Sequence, residues 1–123
     1  MMVEVFENYL AKVKSLPSED RSESKIVGNV IRKYGAVNVL DYSGSEGEGN
    51  SKLTIEVEFA NLIDFSRAKI DELKIVGKAN IVNLHKARIR KLDLSELEVV
   101  YVNMSESNIH VDMSERDIIE TVL

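Results

Sequence analysis

From residue 63 to residue 115 the chain divides every five residues: IDFSR, AKIDE, LKIVG, KANI, VNLHK, ARIRK, LDLSE, LEVVY, VNMSE, SNIH, VDMSE, with KANI and SNIH one residue short. Almost every unit has an apolar or small first residue and an apolar third residue. The second residue is polar throughout, except in KANI, where the triplet starts one place later. A five-residue period drifts by about 140° per unit around an α-helix, so no helix keeps these positions on one face. In an extended strand, first and third residues share a face and the second points away. The pattern therefore calls for short strands joined by corners.

Units group by four into a longer period of 19 or 20 residues. Phe65, Leu84 and Met104 then share a column, as do Ile70, Ile89 and Ile109, preceded by Ala68, Ala87 and Ser107. Ile75, Leu94 and Met113 make a third column, and Asp64, Asn83 and Asn103 fall between the apolar positions. LDYSG at 40 to 44 matches the first unit of each coil and LTIEV at 53 to 57 matches another. The acidic, glycine-rich SEGEGNSK between them reads as an insertion looping off the coil. One coil cannot bury its inner face alone, but coils stacked ~4.8 Å apart bury a continuous column and share a hydrogen-bond ladder.

The units LDYSG, IDFSR, VNLHK, LDLSE, VNMSE and VDMSE resemble those of the pentapeptide-repeat family, over about residues 40 to 115. That resemblance implies a right-handed, four-sided β-helix. The family prefers small residues at the first position, whereas here Ile63, Leu73, Val82, Leu92, Leu97 and Val102 stand there, and only the Ala68, Ala87, Ser107 column is small. A wider, flattened or three-sided coil would accommodate them. The alternative is an α+β antiparallel sheet.

The flanks read as helical, giving a single domain of 123 residues: a helical cap over 1–36, a β repeat region over 37–115 and a C-terminal helix over 116–123. Phe6, Tyr9, Leu10 and Val13 form one amphipathic stripe, and Ile26, Val27, Val30, Ile31 and Tyr34 a second, with Gly35 at a C′ position. Ser114 and Asp117 resemble a capping box before Ile118, Ile119, Val122 and Leu123. Such helices would cover the open ends of a solenoid, and the tail would serve equally well for self-association.

Without cysteine there is no disulfide framework, Cys-based zinc site or thiol nucleophile. No apolar run approaches a membrane span and no signal peptide is evident, so a cytoplasmic location without membrane partners is expected. Residues 37 to 123 carry ten Lys/Arg against sixteen Asp/Glu, a balance opposite to that of a general nucleic-acid binder. His85 and His110 fall on non-equivalent units and lack ligand spacing, so no metal or other cofactor is expected. Glu46 and Glu48 in the glycine-rich stretch would repel phosphate. No nucleophile motif or marked carboxylate pair points to an enzyme.

One cluster stands apart. Lys86, Arg88, Arg90 and Lys91, with Arg67 and Lys69 from the previous coil, form a candidate anion or nucleic-acid contact beside His85. On the same alignment Asp71 lies under Arg90, Glu72 under Lys91 and Glu106 over Lys86, so cross-coil charge pairs account for much of it. The expected role is a non-enzymatic protein-interaction or scaffold module, an accessory, regulatory or viral-type factor working through a protein partner or a second copy. Two alternatives are an acidic DNA mimic that inhibits a DNA-handling enzyme, as the resemblance implies, and weak nucleic-acid binding through the basic stripe.

Overall fold

A computed structural model describes residues 16–22 and 25–112 and the backbone of 118–122. Nine strands follow in chain order: β1 (Glu19–Asp20), β2 (Lys25–Ile26), β3 (Asn29–Asp41), β4 (Glu46–Gly47), β5 (Lys52–Asp64), β6 (Lys69–Asn83), β7 (Arg88–Asn103), β8 (Asn108–Asp112) and β9 (Ile118–Val122). Every pairing is parallel, and each strand pairs with the one a full coil away. Asp20, Asp41, Asp64, Asn83, Asn103 and Val122 stand in one register column, marking about five turns of a β-solenoid.

The period-2 alternation inside each five-residue unit sets what lies inside. Ile63 and Phe65, Ala68 and Ile70, Leu73 and Ile75, then Val82 and Leu84 are all buried, first and third residues of successive units. Two of the three expected apolar columns form: Ile70, Ile89 and Ile109 are register partners, and Tyr42 joins Phe65, Leu84 and Met104 at the inside of a corner. Tyr42 stacks on Phe65 with ring centroids 5.0 Å apart. Burial, then a hydrogen bond with the Tyr34 hydroxyl, pushes the Tyr42 phenol well above its ordinary range.

The corner itself is built by the polar residue between the apolar ones. Asp20, Asp41, Asp64, Asn83 and Asn103 each accept, at Oδ1, the backbone N–H two residues on, at 2.9–3.1 Å. These are Asx turns, in which a short side chain satisfies a backbone donor where the strand ends. A backbone turn follows, its fourth N–H donating to the first carbonyl in Tyr42–Ser45, Phe65–Ala68, Leu84–Ala87 and Met104–Ser107. Its third residue has positive φ each time: Gly44 71°, Arg67 59°, Lys86 58°, Glu106 55°. One positive φ at that place is the signature of a type II turn.

Five expectations are corrected. The helix expected from the stripe Ile26 to Tyr34 is absent; β2 and β3 occupy it, and Val30, Tyr34 and Val37 pair with Leu53, Val57 and Ala60 of β5. Two of the five stripe residues face outward, Val27 at 61% and Ile31 at 60% exposure. β-Branched residues beside a waiting strand edge pair with it rather than coil. The helical cap over 1–36 therefore gives way to a first β coil from Glu19, and the 3–15 stripe lies outside the described residues. The tail expected as a helix over 116–123 contains β9, with Val99, Tyr101 and Val102 opposite Ile118, Glu120 and Thr121; Met113, Ser114 and Asp117 lie outside the described residues. An antiparallel sheet is excluded by the uniformly parallel pairing.

The glycine-rich insertion is smaller than expected. Glu46 pairs with Lys69 and Lys52 with Glu72, so only the stretch about Glu48–Ser51 bulges from the coil. Finally, Ile81 faces outward and is 37% exposed, so the inward pair of that side is Gly77 and Ala79. Here β6 takes one residue fewer than β5: Gly77 to Ala79 spans the stretch that Val57 to Ala60 spans, and the register slips between them. The tightened backbone reaches φ 126° at Gly77, where a Cβ would lie 1.7 Å from the Val57 carbonyl oxygen.

Candidate functional site

The charged residues project from a rigid frame, and their partners are fixed by register. Lys33 reaches Glu56 at 3.8 Å, Lys74 reaches Glu96 at 2.5 Å and Lys78 reaches Glu98 at 3.4 Å, each across one coil. Arg90 Nε donates to Asp71 Oδ1 at 2.8 Å and its Nη2 to Glu72 Oε1 at 2.9 Å. The hydrogen bond that Arg90 donates to Asp71, more than any other influence, raises the guanidinium above its ordinary range. At the same time the Glu96 carboxylate raises Lys74. The outer faces are thus laced between coils; each exposed pair contributes ~0.2–1 kcal/mol.

Within this lattice the six candidate cations separate. Arg90 is taken by Asp71 and Glu72. Lys91 stands between Glu72 and Val111 on the neighbouring face, close enough to Asp93 to help hold that carboxyl down. The other four occupy one corner of two successive coils. Lys69 and Arg88 are register partners at the start of β6 and β7. Arg67 and Lys86 occupy the same place in successive turns, where Arg67 N–H donates to the His85 carbonyl and Lys86 N–H to the Ser105 carbonyl. All four are exposed. No ion pair within 4.0 Å joins any of them to a described carboxylate.

The corner has clear limits. On the preceding coil the equivalent positions are Gly44 and Glu46; on the following coil they are Glu106 and Asn108. Glu106 turns to His85, whose Nε2 lies 3.6 Å from its carboxylate and whose Nδ1 lies 2.8 Å from Ser105 Oγ. Beside the corner runs an open groove of about 380 Å³, along which Lys69, Arg88 and Arg90 stand with Asp71, His110 and the Gly47–Gly49 bulge. The two histidines are therefore separately placed, and among the described residues no cluster of three or more His, Asp or Glu could hold a metal ion. No described helix is long and apolar enough to cross a membrane.

Sequence reading missed the backbone conformation at this corner. A left-handed residue other than glycine or asparagine costs roughly 1–2 kcal/mol. Gly44 and Asn50 show that this chain uses the inexpensive residues elsewhere. The signal was available: Gly44 closes the unit LDYSG, and Arg67, Lys86 and Glu106 close the matching units IDFSR, VNLHK and VNMSE.

No protein-family model, curated protein or solved structure matches this chain.

Proposed function

We propose that the protein is a non-catalytic interaction module: a short solenoid, with repeats of pentapeptide type, that holds surface groups in fixed register for a macromolecular partner. The observation that carries this reading is the block Arg67, Lys69, Lys86 and Arg88, unpaired in a lattice where Lys33, Lys74, Lys78 and Arg90 all have cross-coil partners. The interior supports it too: its buried side chains are apolar except for Ser45 and Ser51, so the described polar chemistry lies mainly on open faces. Parallel ladders on a packed core make those faces stiff, and stiffness lowers the ordering cost of binding. Charges of both signs alternate between coils, which favours a protein partner over the continuous negative face of a duplex mimic.

The test compares the immobilised full-length chain with its Lys69→Glu/Arg88→Glu variant, both matched for thermal midpoint. A protein retained by the first and lost by the second, or concentration-dependent mass in light scattering that the variant abolishes, is the expected result. Equal behaviour of the two chains in both assays would defeat the reading.

A further inference from the structure

We propose that the corner formed by Arg67, Lys69, Lys86 and Arg88 is a receptor for a phosphoryl group carried on a protein partner. The inference rests on the interaction-module reading and names the chemistry of its site. Four cations, two from each of two neighbouring coils, face solvent with no carboxylate within ion-pair distance. Arginine and lysine together suit a phosphoryl dianion: the guanidinium offers two parallel N–H donors, the ammonium a compact charge.

Backbone cost separates this from a chance cluster. Arg67 and Lys86 hold left-handed conformations that Gly44 adopts at the same place in the turn preceding them both. Folding alone favours glycine at both positions. Positively charged side chains stand there at a cost in backbone conformation, a pattern found where a residue serves a ligand.

The boundaries choose among anions. Glu46 flanks Lys69 on one side and Glu106 follows Lys86 on the other, so the cationic patch ends after two coils, ~5 Å apart. A nucleic-acid backbone running along the stack would meet carboxylates at both ends. A free small anion is also disfavoured, because the corner is open, whereas small-molecule sites enclose most of their ligand. A phosphoryl group presented by a second protein needs only local contact, and the neighbouring groove gives room for the chain that bears it.

The experiment uses the full-length protein at ~50 mM salt, where exposed charges are weakly screened. Fluorescence anisotropy follows binding of a labelled phosphoserine peptide with otherwise neutral residues, competed by its unmodified form, by inorganic phosphate and by a twelve-nucleotide single strand. The expected result is a preference of about tenfold or more for the phosphopeptide over the unmodified peptide and free phosphate. Arg67→Gly/Lys86→Gly should lose that preference while its thermal midpoint stays level or rises, which a merely structural role for these residues would not allow. Lys69→Ser/Arg88→Ser should lose it as well. No preference in the wild-type chain, a preference kept by both variants, or tighter binding of the oligonucleotide would overturn the assignment. A partner retained by the immobilised chain after phosphatase treatment would overturn it too, while leaving the interaction-module reading in place.

Discussion

Replacing Gly77 with alanine should be among the most damaging single-methyl additions this chain can receive. Gly77 has φ 126°, and a Cβ built there would sit 1.7 Å from the Val57 carbonyl oxygen and 2.9 Å from its carbon. Backbone, not a flexible side-chain end, is in the way. The conformation alone costs an L-residue of order 1–3 kcal/mol. Relieving the overlap requires β5 and β6 to part where their register already slips, adding at least the ~1 kcal/mol of a lost hydrogen bond. A total of at least about 2–4 kcal/mol would consume much of a small domain's ~5–15 kcal/mol. Urea unfolding followed by far-UV circular dichroism measures this directly. Gly35→Ala is the control, because its Cβ would meet only Glu58 Oε2, at 3.8 Å, and it should change stability by under ~1 kcal/mol. A Gly77→Ala chain unfolding within ~1 kcal/mol of wild type would refute the account of the short β6 segment.

Other outcomes follow from the same frame. Ile89→Ala, at a side chain 1% exposed between Ile70 and Ile109, should cost about 2–5 kcal/mol in urea unfolding, whereas Ile81→Ala should cost far less. Asp64→Ala removes the acceptor for Ser66 N–H and should cost ~1 kcal/mol; Asp64→Asn keeps an acceptor and should restore most of it. For Asp93, burial raises the carboxyl, but hydrogen bonds from Ser95 and the nearby Lys74 and Lys91 outweigh it, leaving the pKa below its ordinary 3.8. A depressed carboxyl contributes stability above its unfolded pKa and loses it as pH falls through the folded value. Asp93→Asn should therefore flatten the fall of the thermal midpoint below about pH 4. A double-mutant cycle on Lys74 and Glu96 should give a coupling under ~1 kcal/mol that shrinks with added salt.

The core was legible because two periods reinforce each other. Alternation within a unit marks Leu84 and Ile89 as inward, and recurrence after 19 or 20 residues identifies Phe65 and Ile70 as the side chains they meet. The first coil lacks that second support. Asp41 and Asp64 are register partners, but the longer turn about Glu48–Ser51 pushes their spacing beyond the regular period. Ile26, Val27, Val30, Ile31 and Tyr34 were then left to be judged by local spacing, which fits a helix. What decides against it is β5, a strand edge that no local pattern displays. The tail was judged by local spacing too, and what decides against a helix there is the edge of β7, on which Ile118 pairs with Val99; the repeat also slips before it, since Val111 pairs with Lys91 and not with Leu92.

The candidate site was half legible for a physical reason. Opposite charges one coil apart are visible once columns are aligned, and the Arg90 pairing with Asp71 follows directly. Turn conformation is different, because its usual marker is glycine and only Gly44 provides it here. Register transfers the conformation from that glycine to Arg67, Lys86 and Glu106, which carry no such marker. Sequence self-similarity therefore locates strain as well as core. Where a repeat forces a left-handed turn and a side chain is nevertheless present, the side chain is not explained by the turn. At Glu106 the neighbouring His85 supplies a partner within the fold. At Arg67 and Lys86 no described ion pair does, and the excess cost at those two positions is the reason to look for their partner outside the chain.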